Sequence, residues 1–227
     1  MRAMILAAGR GERMRPLTDR VPKPLLAVAG QPLIFWHLER LATAGVDEVV
    51  INLAWRGEQI AEAVGDGSAW GLRVTYTREG ERGLETGGGI ANALPLFRGE
   101  PFVVINGDVW CEYPLAPLPA DPPGLAHLVL VPNPDHHPGG DFRYAMGRVV
   151  TDGGEPLTFS GIGVYRPALF DGCPVGAFRL APLLHGAAER GAVTAERYDG
   201  AWTDVGTPER LATLDAELRR RGVQATH

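Results

Sequence analysis

Short apolar runs recur along the first half of this chain, and each is followed by glycine or by a segment with helical spacing. Residues 1–7 read as a buried strand, and residues 31–44 as a helix with Leu33, Ile34, His37, Leu38 and Leu41 on one face and Gly45 as its stop. The same alternation continues with strands at 48–52, 72–77 and 101–106 and helices at 57–64 and 86–94. Continuous apolar strands separated by helices must be covered on both faces. The expected fold class is therefore α/β, a single domain over 1–227 with a mostly parallel central sheet flanked by helices.

After Asp108 the pattern changes. A proline-rich stretch at 113–124 reads as loop, strands are expected at 126–131, 144–150 and 157–165, and helices at 180–190 and 208–221. This second half reads as a substrate-side elaboration of one sheet, with no linker and no internal repeat. The arginines at 219–221 suit the negative pole of a helix end and read as solvated.

Composition narrows the function classes. The net charge of −5 supplies no basic field for nucleic acid, so any anionic ligand must be held locally. No apolar run approaches the roughly 20 residues of a membrane span, which points to the cytoplasm. Two cysteines, Cys111 and Cys173, lack the spacing of a disulfide framework or a metal site and read as incidental thiols. Of 22 basic residues, 22 − 1 = 21 are arginine; the single lysine is Lys23, in VPKPLL. A compact ammonium kept at one place in so arginine-rich a chain marks that place for chemistry.

The strongest local motif is LAAGRGERMRPLT (6–18), followed by PKP (22–24). A strand running into small residues and two glycines lets backbone N–H groups approach an anion, and Arg10, Arg13 and Arg15 add positive charge. A dinucleotide fingerprint would need its third glycine at Met14, and a Walker loop would need Gly-Lys-Ser/Thr; both are absent. On glycine spacing alone, a structural turn remains an equal reading.

Two further strings deliver carboxylates. NGDVW (106–110) places Asp108 at the C-terminal end of an apolar strand, the edge where open α/β sheets collect ligands, and makes it a candidate for a hard cation. WTDVGTPE (202–209) places Asp204 before a helix start, where it serves either a cation or the local turn. In GLETGGGIANAL (83–94), backbone N–H groups ahead of a helix can meet a nucleobase or phosphate, although GGG is also ordinary punctuation. Two aspartates, one lysine and a glycine-rich loop suit phosphoryl or nucleotidyl transfer better than acid–base or nucleophilic chemistry. Adjacent His136 and His137 read as solvated or substrate-contacting.

Taken together and in this order, LAAGRGERMRPLT, PKP, LETGGG, NGD and WTDVGT resemble the sugar-phosphate nucleotidyltransferase family over about residues 1–215. The resemblance implies a Rossmann-like nucleotide-diphospho-sugar transferase fold, with about 1–110 binding nucleotide and about 111–221 binding sugar phosphate. It implies that Ala8, Gly9, Gly11, Glu12 and Arg13 wrap the nucleotide, that Lys23 neutralises triphosphate charge, and that Thr86 and Gly88 hold the nucleoside. Arg13, Lys23 and Asp108 would be catalytic, and Asp108 and Asp204 would hold Mg²⁺. Asn106, Asp141, Ser160 and Gly161 would face the sugar phosphate, with Arg143 nearby to match a carboxylate on the sugar.

Within the family, GERMRPLT, GLAHLVLV with NPDHHPGGDF, and LTFSGIGV resemble the subgroup of bacterial peptidoglycan recycling. That subgroup takes UTP and N-acetylmuramic acid 1-phosphate as partners. Mannose 1-phosphate guanylyl transfer and glucose 1-phosphate nucleotidyl transfer are the neighbouring alternatives, and a non-catalytic nucleotide-sugar sensor is the alternative from another class. Some family members append a β-helix with acetyltransferase activity; this chain ends soon after the helix at 208–221, so no acyl transfer is expected of it.

Overall fold

The structure, a computed structural model, describes residues 1–80 and 83–223. The last four residues of the expected domain, 224–227, lie outside the described residues. β1 (Arg2–Leu6) ends in the glycine loop. A small hairpin of β2 (Ala27–Val28) and β3 (Gln31–Pro32) leads directly into α1 (Leu33–Thr43), so the helix expected from residue 31 starts two residues later. β4 (Glu48–Leu53), α2 (Gly57–Val64), β5 (Arg73–Arg78), α3 (Glu85–Ala93) and β6 (Phe102–Asn106) continue the alternation. The second half carries β7 (Val109–Cys111), β8 (Ala126–Val131), β9 (Phe142–Ala145), β10 (Arg148–Val150), β11 (Glu155–Tyr165), α4 (Leu180–Glu189), β12 (Val193–Arg197), β13 (Trp202–Asp204) and α5 (Pro208–Arg220).

Among the described residues one sheet has nine strands in the order β5-β4-β1-β6-β11-β8-β12-β10-β9. The first four are mutually parallel. β11 enters antiparallel between β6 and β8, and β10 lies antiparallel to both β12 and β9, so only β10 and β11 run against the rest. The mostly parallel sheet is thus as expected, and two reversed strands stitch its second half to its first.

The strands of the first half are apolar on both faces because both faces are covered. Ala3, Ile5, Val49, Ile51, Val103 and Ile105 pack on one side with Ile34, Leu38 and Leu41 of α1 and Ile60 and Val64 of α2. Their neighbours Met4, Val50, Phe102 and Val104 pack on the other with Ile90 of α3 and Leu184 of α4. The period of two along each strand assigns alternate residues to opposite layers. A third cluster, with Met14, Val28, Trp110, Val205, Leu214 and Leu218, ties the glycine loop to α5. Thr207 caps α5 through its side-chain oxygen, 3.3 Å from Arg210 N, and Pro208 follows at the first helical position.

Two expectations are corrected. The single strand expected at 144–150 is a hairpin, β9 and β10, reversing at Met146 and Gly147, which have φ of 48° and 80°. Two consecutive positive φ values suit the tight turn of a twisted hairpin, but Met-Gly is an unusual pair for it, which hid the turn. β12 had no counterpart in the expectation because VTAER is short and half polar. Its stabilisation comes from parallel pairing with β8, more than sixty residues earlier.

Candidate functional site

The site is built where three parallel strands end level. Leu6 of β1 lies in register with Asn52 of β4 on one side and Asn106 of β6 on the other. Above these ends opens a cleft of about 790 Å³. Of the expected residues, Ala8, Gly9, Gly11, Glu12, Arg13, Lys23, Thr86, Asn106 and Asp108 all line it.

The glycine loop is held by contacts that need its small residues. Gly11 has φ of 65°, and a Cβ there would sit 2.9 Å from the Thr18 methyl carbon. The Thr18 hydroxyl donates to the Gly11 carbonyl at 2.7 Å, closing the loop on itself, and fully buried Met14 anchors it below. Arg10 and Arg13 are exposed at the cleft and have no carboxylate partner among the described residues. Two guanidiniums without a carboxylate partner, beside a glycine loop, have the chemistry that an anion requires.

Gly107 explains the NGD string. Its N–H donates to the Leu6 carbonyl at 2.9 Å, and a Cβ would lie 2.5 Å from that same oxygen, so only glycine lets the chain turn here and present Asp108. Lys23, 8 % exposed, donates to Asp108 Oδ2 at 2.6 Å. The one lysine of the chain is therefore buried against the first carboxylate of the cleft.

Asp204 stands beside it. β13 pairs antiparallel with β7 so that Asp204 is opposite Val109, the residue after Asp108, and Val205 N donates to the Asp108 carbonyl at 2.8 Å. The Asp204 carboxylate meets Arg210 Nη1 at 3.1 Å and His136 Nε2 at 3.0 Å. Gly206 makes room for Arg210, since a Cβ there would collide with the guanidinium. Asp204 therefore pairs both locally, with Arg210 at the helix start, and across the fold, with His136, while Thr207 caps the helix.

His136 and His137 gain a physical account. His136 reaches Asp204, while His137 Nε2 lies 3.0 Å from Asp141 Oδ1. Asp141 Oδ2 in turn accepts from Phe159 N at 2.8 Å. Consecutive histidines therefore tie the 132–141 loop in two ways, His136 to Asp204 of β13 and His137 to Asp141 at the loop's own end, which Phe159 N joins to β11.

Several expected ligand contacts turn out to be supports. Ser160 is fully buried inside a bulge of β11, with its hydroxyl accepting from Ile162 N at 3.1 Å. Gly161, at φ 81°, leaves space for Asn106, whose Cβ would lie 2.8 Å from an added Cβ, so it shapes the cleft through Asn106. Arg143 spends its guanidinium on the carbonyls of Gly153 and Gly154 at 3.3 and 3.5 Å and is not among the residues lining the cleft. Gly88 faces away: its N–H and that of Gly87 donate to the Phe178 carbonyl at 3.1 and 2.9 Å, and a Cβ on Gly88 would strike Gly176. These amides are used by the protein itself, and the glycines are needed for close packing of α3.

Sequence reasoning missed a buried polar chain under the cleft. Asn52 Oδ1 accepts from Ala7 N at 2.8 Å, Asn52 Nδ2 donates to Glu79 Oε1 at 2.7 Å, and Glu79 Oε2 accepts from Leu84 N at 2.6 Å. A Cβ on Gly89 would lie 2.5 Å from Glu79 Oε1, so the third glycine of GGG exists for this carboxylate. The signal was present in the repeat of VVIN at 49–52 and 103–106, which puts asparagines on both sides of the end of β1.

The Nucleotidyl transferase family profile matches residues 2–121. The chain is 52 % identical over 225 residues to N-acetylmuramate alpha-1-phosphate uridylyltransferase of Neisseria meningitidis, covering 95 % of this chain and 97 % of the relative. It is 36 % identical to the protein of the same name from Caulobacter vibrioides, over 96 % of each. A solved Bacillus anthracis chain, provisionally described as a glucose-1-phosphate thymidylyltransferase, superposes with a TM-score of 0.85 at 20 % identity over 96 % of each chain and shows the shared fold.

Proposed function

Because the chain belongs to the nucleotidyl transferase family, we propose that it transfers UMP from UTP to N-acetylmuramic acid α-1-phosphate, giving UDP-N-acetylmuramic acid and pyrophosphate. The carrying observation is the cleft at the strand ends, where Arg10 and Arg13, without a carboxylate partner among the described residues, stand beside the buried Lys23 and its partner Asp108, with Asp204 on neighbouring β13. Identity of 52 % along nearly the whole chain to an enzyme named for this reaction supports the choice of sugar and base.

The glycine loop, with Ala8, Gly9, Gly11, Glu12 and Arg13, receives the triphosphate, and Thr86 at the start of α3 faces the nucleoside. In this reading residues 1–110 bind the nucleotide and residues 111–221 the sugar phosphate. The acceptor phosphate is largely dianionic at neutral pH and needs no general base. One of its oxygens attacks the α-phosphorus of UTP in line; the new P–O bond forms as the bond to the β-phosphate oxygen breaks, and pyrophosphate leaves with those electrons. Lys23 offsets charge at the α-phosphate and Arg13 steadies the pyrophosphate, so rate enhancement rests on positioning and electrostatics.

Asp108 and Asp204 are the residues that would hold Mg²⁺. Asp108, in the turn just before β7, and Asp204, on β13 paired with β7, fit a hard cation that takes its other ligands from phosphate and water. Among the described residues no group of three or more His, Cys, Asp or Glu side chains is placed to hold a metal, so the donor set does not suit a structural zinc site. When bound, the cation supplies charge neutralisation on the triphosphate. No helix among the described residues is long and apolar enough to cross a membrane, and the proposed place of action is the cytoplasm, where UTP is found.

The test is a matrix of four nucleoside triphosphates against the 1-phosphates of N-acetylmuramic acid, N-acetylglucosamine, mannose and glucose, read as pyrophosphate release with purified protein. The proposal requires UTP with N-acetylmuramic acid 1-phosphate to be the best pair. A guanylyl preference with mannose 1-phosphate would replace it, and ligand binding without pyrophosphate in any pair would point to a sensor.

A further inference from the structure

Residues Trp55, Arg56 and Gln59, at and just before the N-terminus of α2, grip three successive carbonyls of the loop that leads to Lys23. Trp55 Nε1 donates to Thr18 O at 3.2 Å, Arg56 Nη2 to Asp19 O at 2.8 Å, and Gln59 Nε2 to Arg20 O at 3.2 Å. Arg56 itself stands in a left-handed backbone conformation, φ 50°, which non-glycine residues seldom adopt. Thr18 is the same residue whose hydroxyl closes the glycine loop on Gly11. Trp55 therefore braces both the phosphate-facing loop and the approach to the lysine.

Its ring does something else. The Arg10 guanidinium carbon lies 4.7 Å from the centroid of the Trp55 indole, and both residues line the cleft. Arg56 lies 5.2 Å from the same ring but has the Asp19 carbonyl as a partner. Arg10 has no carboxylate partner among the described residues. A guanidinium resting on an aromatic face at an exposed site is held weakly. A phosphate chain offers it charge-assisted, bidentate hydrogen bonds, which are stronger.

We propose that Trp55 is a positioning residue that parks Arg10 at the mouth of the cleft, and that Arg10 moves from the indole to the triphosphate when nucleotide enters. The inference rests on the nucleotidyl-transfer reading and deepens it by naming a further phosphate-binding cation and the residue that stores it. Parking keeps the long side chain ordered near the site, so less freedom is lost when it captures its ligand. Because the partner is the phosphate chain, the effect must grow with the number of phosphates.

The test uses the full-length protein, with UTP and UMP as probes and no acceptor. Calorimetry gives affinity, and tryptophan emission reports the ring. Unmodified protein should show a saturable emission change with UTP that is absent from Trp55→Phe, although four of the five tryptophans remain. Arg10→Ala should weaken UTP about tenfold, the scale of one charged hydrogen-bonding partner, while UMP changes less than about twofold. Arg10→Lys should recover part of the UTP affinity but little of the emission change. An emission change that persists in Arg10→Ala or Trp55→Phe, or an equal weakening of UTP and UMP in Arg10→Ala, would overturn the proposal and leave the transfer reaction standing. Failure of the unmodified protein to bind UTP by calorimetry would overturn both.

Discussion

The parallel half of the sheet and the half beyond β6 hold their polar side chains in different ways. In the first, short glycine turns and buried polar contacts fix the key groups: Gly107 presents Asp108, Gly11 with Thr18 shapes the phosphate loop, and Asn52 takes the Ala7 backbone N–H at the end of β1. In the second, exposed side chains of the 132–141 loop do the holding: His136 reaches Asp204 across the fold, and His137 with Phe159 N holds Asp141. A short turn is rigid and readable from a string of residues. A long-range pair on an exposed loop can be re-formed by small changes, which suits the half that must distinguish one sugar from another.

If this contrast is right, changes in the first half should damage the chemical step and changes in the second should alter acceptor binding. The largest effect is expected at Lys23. Lys23→Ala should lower kcat by two to three powers of ten, on the scale of losing one preorganised electrostatic contact. Lys23→Arg should not restore it, since the buried space beside Asp108 fits a compact ammonium. Steady-state turnover of the three proteins checks this, and full rescue by arginine would show that charge alone matters.

Acid sensitivity should also trace to the first half. His37 on α1 is 1 % exposed, and burial, helped by the Arg40 charge and opposed by the nearby Val109 backbone, lowers its pKa from 6.5 to about 3. Between those values the unfolded chain takes up a proton that the folded one refuses. Stability is therefore intact above about pH 6.5 and falls as pH drops toward 3, by up to about 1.4 kcal/mol per pH unit from this group. Urea midpoints measured across that window should fall less steeply for His37→Leu than for the unmodified chain.

Smaller effects are expected across the boundary. Gly161→Ala should strain a positive-φ position and push on Asn106, costing about 1 to 3 kcal/mol of stability and raising KM for the sugar phosphate more than for UTP. His136→Ala frees one end of the 132–141 loop; because the pair with Asp204 is only partly buried, acceptor KM should rise only about three- to tenfold with UTP KM unchanged. Arg143→Ala should do least. Its guanidinium braces the Gly153–Gly154 turn, so any loss should be below about threefold and equal for N-acetylmuramic acid and N-acetylglucosamine 1-phosphates. A large loss confined to the muramate would return Arg143 to the role of carboxylate partner.

The same contrast explains what could be read from the residues. The α/β alternation was legible because buried parallel strands are continuously apolar, and Lys23 was legible because it is the one lysine in the chain. GGG stayed open between ligand amides and helix punctuation, because nothing local reveals that Phe178, some ninety residues on, takes two of those amides. The roles of Ser160 and Gly161 were displaced by one step for a related reason: a bulge between Phe159 and Ile162 turns Ser160 inward and puts Gly161 against Asn106. Glu79 and Arg210 carried no local signal at all; each is defined by a partner from another element.

The most direct test follows phosphorus. Purified protein with Mg²⁺, UTP and N-acetylmuramic acid α-1-phosphate is observed by ³¹P NMR as the reaction proceeds. The account predicts that the acceptor monoester and UTP signals decline together while a diphosphate diester and pyrophosphate appear in equal amounts, and that omission of the acceptor stops both. Release of inorganic phosphate, or UTP consumption that ignores the acceptor, would contradict it.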